Sequence, residues 1–380
     1  MKKLLFILLL IFFTKTFAQT PSETLRKEVK ERIFSGEYDK AISLLEKNIS
    51  SIQSHTTGLF DALIDLYFFE RNWGAIIKSY TSHKFQLGED STSLSMAKFY
   101  INTLKEKISL KETVKIPFKP SVSGTPIIEV KVNGHLYHFW FDTGAGMTAL
   151  SSTVAWDCKI KAPMKKYGIA MAATGNTVNI NPGLIDTLEI NNLKVYNHPC
   201  LILDKKDLEF RILGIRILKI DGVIGWNLLQ QLDVTVNNKT DSIILASAEM
   251  PTSRGNNFFW FEQPLIKCSD TAGVASLFFI DTGADHAGVY EPFLSKVDTI
   301  KAKKKTMKIG SAGGFKKIRS FTFPVVKLNV GGELLIMKNV SQNPTLAKNL
   351  FPCDGVLGIN EFKNRIINFN MRKGVFTISH

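Results

Sequence analysis

The sequence predicts a mainly β protein in which two β-barrel lobes of one kind follow an all-α helical domain. Three observations carry that expectation. Apolar residues recur at three-to-four spacing up to about residue 113, then give way to short alternating or wholly apolar runs broken by turn dipeptides, and this second region repeats itself at a nearly constant offset. The 380 residues are 44% hydrophobic and 22% charged. That is enough apolar material for large cores, and it excludes a disordered, collagenous or polytopic membrane chain. The length suits two or three domains.

Residues 1–18 read as a secretory signal peptide. Lys2 and Lys3 precede an apolar run over residues 4–13, and Thr16-Phe17-Ala18 supplies small-residue cleavage context before Gln19. The run is far shorter than the roughly 18 residues that span a bilayer, and no cysteine follows it to carry a lipid. An exported chain is expected, periplasmic or extracellular, with no membrane insertion after cleavage. Loss of Lys2, Lys3 and Lys15 lowers the formal charge from +14 to +11. Part of the remaining excess lies in Lys301, Lys303, Lys304, Lys305, Lys308, Lys316, Lys317 and Arg319, which read as a solvated loop. No zinc-finger, helix-turn-helix or RNP-like pattern accompanies them, so nucleic acid is not an expected partner.

Residues 19–113 form the expected helical domain, with helices over residues 23–34, 38–47, 57–70 and 73–83 and breaks at Ser35-Gly36 and Arg71-Asn72. Tyr38 and Trp73 open similar segments 35 residues apart, which resembles the tetratricopeptide period; a plain helical bundle fits equally. Such a domain could dock a protein partner, cover a cleft or stabilise its neighbours.

From residue 114 the apolar runs 127–132 and 136–141, and the turns Asn133-Gly134, Asn191-Asn192 and Gly331-Gly332, read as strands joined by hairpins with positive φ. Phe139-Trp140-Phe141-Asp142-Thr143-Gly144-Ala145-Gly146 returns as Phe278-Phe279-Ile280-Asp281-Thr282-Gly283-Ala284-Asp285, an offset of 139. Asp221-Gly222-Val223-Ile224-Gly225-Trp226-Asn227 returns as Asp354-Gly355-Val356-Leu357-Gly358-Ile359-Asn360, an offset of 133. Val234-Thr235-Val236-Asn237 matches Ile367-Asn368-Phe369-Asn370 at the same offset. Two copies of one lobe follow, residues 114–250 and 251–380, and a monomer holds both.

One Asp-Thr-Gly arises by chance in about one such chain in ten. Two, each behind three large apolar residues and at equivalent places in a duplicated lobe, point to paired carboxylates. A buried strand running into Asp-Thr-Gly sets a carboxylate at the mouth of a barrel, and a second lobe sets its equal opposite. Two such groups share a proton, so one can take a proton from water while the other donates to an oxyanion or a leaving nitrogen.

On these residues each lobe resembles an aspartic protease of the retropepsin type, and the pair resembles the two-lobed, pepsin-like arrangement in one chain. The resemblance covers residues 114–380 and implies an aspartic endopeptidase acting on polypeptides. Asp142 and Asp281 would be catalytic. Thr143 and Thr282 would bond across to the opposite lobe, while Gly144 and Gly283 would turn the loops toward the carboxylates. Ala145 and Ala284 stand where many pepsin-like lobes carry a hydroxyl, which should leave the dyad less acidic and the optimum mildly acid. Thr174 and Gly175, and Gly313 and Gly314, mark the expected flap tips, which would close over substrate with Asp285 beside them. His286 reads as a surface or supporting histidine.

No cofactor or metal is expected: Cys158, Cys200, Cys268 and Cys353 show no metal-ligand spacing, although in an oxidising compartment they could form up to two disulfides. Nucleophile-elbow serine, His-Glu-x-x-His and Walker motifs do not occur. The competing expectation is a binding protein that holds polypeptides on a protease scaffold without turnover.

Overall fold

The computed structural model describes residues 21–50, 58–82, 92–163, 168–171, 176–212, 215–248, 255–296, 302–311, 314–343 and 351–380. The leader expected over residues 1–18 lies outside them.

The helices are α1 Pro21–Phe34, α2 Tyr38–Lys47, α3 Leu59–Phe69, α4 Trp73–Ser82 and α5 Thr92–Tyr100. The first four follow the apolar spacing. The fifth is an addition, because its buried residues Met96, Ala97 and Tyr100 fill barely one turn and leave too short a period to read. Both expected breaks are left-handed: Gly36 has φ 65° and Arg71 φ 56°. There the Glu37 and Asn72 N–H groups reach back to Arg32 and Tyr67 carbonyls at 2.9 and 2.8 Å, closing the helix ends.

β-structure begins with Lys107–Ser109, ahead of the change read at residue 114, and pairs with Leu193–Leu203. In the first large sheet His135–Phe141 runs antiparallel to Pro126–Val132 and parallel to Gly222–Ile224. Gly222–Ile224 in turn pairs antiparallel with Ala149–Ser151, and that strand runs parallel to Leu193–Leu203. A second sheet repeats the succession. Ala275–Asp281 is antiparallel to Gln263–Ser269 and parallel to Gly355–Gly358, which meets Gly288–Val289, itself parallel to Glu333–Gln342. Phe139 stands opposite Gly222 and Phe278 opposite Gly355, so the sequence offsets are also register offsets. A five-stranded sheet ties the two halves: Val234 pairs with Phe369 and Val236 with Ile367, each strand lying against its own repeat.

The hairpin turns follow their dipeptides. Asn133 and Gly134 have φ 48° and 87°, and Gly331 and Gly332 φ 56° and 92°, while at Asn191-Asn192 only the first is positive, at 52°. The basic stretch is a correction. Lys303–Ser311 and Gly314–Val330 form a hairpin in which Lys308 stands opposite Lys317, not a loop. Pairing satisfies backbone groups that a loop would leave to water, and β-favouring residues such as Thr306, Ile309 and Ile318 alternate with the charges. Lys303, Lys304, Lys316, Lys317 and Arg319 are exposed on it.

One apolar core runs through the helices and both large sheets. The Tyr38 hydroxyl accepts the Trp260 backbone N–H at 2.7 Å, Phe34 packs edge-on to Phe259, and the Tyr100 hydroxyl donates to the Cys200 carbonyl at 2.7 Å. The cysteines correct the disulfide expectation, since all four are free thiols. Cys158, at the end of a short helix, and Cys200 and Cys268, within the sheets, are buried and packed as small apolar residues. No helix among the described residues is long and apolar enough to cross a membrane.

Candidate active site

Asp142 follows the last residue of His135–Phe141, and its N–H is held by the Ile224 carbonyl at 3.1 Å. Asp281 is the last residue of Ala275–Asp281, opposite Gly358. Each strand is flanked on both sides, which fixes where its carboxylate emerges. The two loops then interlock. Thr143 N–H donates to Thr282 Oγ1 and Thr282 N–H to Thr143 Oγ1, both at 3.0 Å. The Thr143 hydroxyl donates to the Ile280 carbonyl at 2.9 Å, and the Thr282 hydroxyl to the Phe141 carbonyl at 2.6 Å. Both threonines are fully buried. Four bonds across the interface leave the loops little freedom to part.

Gly144 N–H donates to Asp142 Oδ1 and Gly283 N–H to Asp281 Oδ1, each at 2.8 Å. A Cβ on Gly144 would stand 2.5 Å from Asp281 Cγ, and one on Gly283 would stand 2.5 Å from Asp142 Cγ. The missing side chains are the space in which the opposite carboxyls sit. Ala284 N–H adds a bond to Asp281 Oδ1 at 3.0 Å. Behind the loops the second motif closes the same way twice: Trp226 N–H donates to the Ala145 carbonyl at 2.7 Å and Ile359 N–H to the Ala284 carbonyl at 2.9 Å.

The sequence-predicted residues therefore divide. Asp142, Thr143, Gly144 and Ala145 come together with Asp281, Thr282, Gly283 and Ala284. Asp285 is exposed in the same loop, and its Oδ1 accepts the His286 N–H at 2.8 Å. His286 is likewise exposed, with Nδ1 3.7 Å from Glu361. Gly314 faces Ser311 at the end of the basic hairpin, whereas Thr174, Gly175 and Gly313 lie outside the described residues.

Residues 128–220 match the family model described as gag-polyprotein putative aspartyl protease. The match supports a retropepsin-like aspartic protease domain over that stretch. It contains the first Asp-Thr-Gly loop; the second lies beyond it. No curated protein matches the chain.

The electrostatics of the two carboxyls suit a protease domain of this kind. Burial raises the Asp142 pKa, and contact with Asp281 together with the loop N–H groups draws it partly back. Asp281 is held well above the usual carboxylate range, first by burial and then by the adjacent Asp142 charge. Two close carboxyls in a partly desolvated site retain a proton between them.

Sequence reasoning missed a buried network behind the first loop. Glu106 pairs with Arg71 and His198 and accepts Gln231 Nε2 at 2.7 Å. His198 Nε2 meets Thr148 Oγ1 at 2.8 Å, and Asn227 Oδ1 accepts the Thr148 N–H at 2.8 Å. Burial would raise Glu106, yet the His198 and Arg71 charges override it and hold the group at about 2. These residues are scattered from 71 to 231 with no common spacing, so nothing in the sequence joins them. Thr125, whose hydroxyl donates to the Gly283 carbonyl at 3.3 Å, was equally silent.

Proposed function

We propose that the chain is an exported, single-chain aspartic endopeptidase whose catalytic dyad is Asp142 and Asp281. The observation that supports this most is the reciprocal packing of the two Asp-Thr-Gly loops, each glycine making room for the other loop's carboxyl. The two carboxyls share one proton, because burial and the neighbouring carboxyl disfavour a second charge. The ionised member takes a proton from a water positioned between the two. As that water attacks a peptide carbonyl, the protonated member donates its proton to the developing oxyanion; the diol then collapses with cleavage of the C–N bond, the proton taken from water passing to the leaving nitrogen and a diol hydroxyl proton returning to the dyad. No metal or organic cofactor enters this scheme. The hairpins formed by Gly168–Met171 with Thr177–Ile190 and by Lys303–Ser311 with Gly314–Val330 act as flaps over a substrate strand. The leader directs the chain out of the cytoplasm, and the molecule acts as a monomer because both carboxyls come from one chain.

The test is cleavage of a denatured protein mixture by the chain from Gln19 onward, across acid to neutral pH, beside Asp142→Asn and Asp281→Asn and with a statine-type inhibitor. Cutting by wild type alone, blocked by the inhibitor, is expected. Equal cutting by either variant removes the dyad from the mechanism. Peptide binding without cutting by wild type makes the fold a polypeptide-holding scaffold.

A further inference from the structure

We propose that the outer edge of the basic hairpin is a docking site for an extended acidic segment of a polypeptide, which adds to it as a further strand. The proposal goes beyond the dyad reaction, and its occupancy is measurable without catalysis.

The hairpin leaves an edge open. In the second large sheet the strand order ends with Lys303–Ser311, which pairs with Gly314–Val330 on one side and with no described residue on the other. It is nine residues long, and in such a strand alternate residues turn their N–H and C=O groups away from the neighbour. Those groups form a row of donors and acceptors that an incoming strand can pair.

Its charge is one-sided. Residues 302–343 hold nine lysine or arginine residues and a single acid, Glu333, which lies against Arg365 and His380. Lys303, Lys304, Lys316, Lys317 and Arg319 are exposed, and none of them has an ion-pair partner among the described residues. The register puts Lys303 and Lys316 on one face of the hairpin and Lys304, Lys317 and Arg319 on the other. A strand laid along this edge therefore meets cations on both of its faces. Exposed Phe321, with the Lys304 ammonium 5.8 Å from its ring centre, adds apolar surface on the second face.

These features choose the occupant. A second copy of this edge would set lysines against lysines, and like charges directly across a pair of strands are destabilising. A polyphosphate or an anionic lipid surface offers acceptors alone, so the outward carbonyls would stay unpaired; a polypeptide backbone supplies both donors and acceptors. Acidic side chains along that backbone stand across from the lysines, where opposite charges favour pairing. In the protease reading this edge selects substrates that carry an acidic stretch away from the scissile bond.

The experiment uses the full chain carrying Asp142→Asn, so that peptides stay intact, and follows the fluorescence anisotropy of dye-labelled decapeptides. The probes alternate valine with glutamate, glutamine or lysine. The glutamate peptide should bind saturably and at least about tenfold tighter than the glutamine one, with lysine weakest and the preference fading as salt is added. A glutamate peptide N-methylated along its backbone keeps the charge but loses every donor, and should bind at least about tenfold weaker than its parent. Lys303→Gln with Lys304→Gln should weaken the glutamate peptide about tenfold while leaving the glutamine peptide unchanged. The N-methyl comparison needs no hairpin variant and decides the matter should that one not fold. Equal affinities for glutamate and glutamine, undiminished binding after N-methylation, or tighter binding to inorganic polyphosphate or phosphatidylglycerol vesicles at equal charge overturns the proposal. If the glutamate preference stands while wild type cuts no polypeptide, the protease reading falls alone; if wild type cuts and no preference appears, the docking edge falls alone.

Discussion

A Cβ on Gly144 would lie 2.5 Å from the carboxyl carbon of Asp281, on the opposite Asp-Thr-Gly loop. The carboxyl belongs to a loop tied down by four hydrogen bonds and cannot withdraw cheaply. Gly144→Ala should therefore part the loops, at a cost of about 1–3 kcal/mol or more from overpacking, and activity should fall at least a hundredfold. Urea unfolding and kcat/KM on one peptide check this. Near-normal activity would show that the loops are looser than their packing implies.

Thr282→Val keeps the shape but removes the hydroxyl that donates to the Phe141 carbonyl and accepts the Thr143 N–H. Both groups are left buried and unpaired, so a loss of about 2–4 kcal/mol is expected. Thr282→Ser should recover most of it. Equal stabilities for the two variants would mean that the methyl group, not the bonds, holds the loops.

The activity profile should be bell-shaped, its acid limb set by protonation of the pair's ionised member and its basic limb by loss of the shared proton. Both pKa values are raised by burial, so the optimum belongs at mildly acid pH, and a peak near about pH 2 would contradict the dyad's environment. A carboxyl whose folded pKa is raised costs stability above its unfolded value. Asp281→Asn should consequently raise Tm by a few degrees at neutral pH, and the gain should vanish below about pH 4.

Glu106 has the opposite sign. Its pKa is held at about 2 against an ordinary 4.5, so its contribution, about 3 kcal/mol, is present above the unfolded value and lost as pH falls toward the folded one. Glu106→Gln should destabilise the protein at neutral pH by that order, with the gap to wild type closing in strong acid. Unfolding curves at several pH values measure it.

Removing the helices should not yield a soluble protease. Trp260 gives its backbone N–H to Tyr38 and stacks on Phe69, and Phe259 packs on Phe34. A chain starting at Val114 would expose that strand, which invites aggregation. Soluble expression with unchanged activity would show that the helices are an appendage.

The sequence by itself determined the β class, the repeated segments and the two Asp-Thr-Gly loops, because a repeat keeps order and offset whatever the fold does with them. It determined four helices and two glycine hairpins, since periodicity and positive-φ residues act locally. It misread the basic stretch, where charge suggested a loop but backbone pairing with residues 314–330 prevailed. Only the tertiary structure decided how the loops lock and that Glu106, Arg71 and His198 meet. Such contacts join residues far apart in sequence, and their energies come from burial and exclusion of water, which no local pattern records.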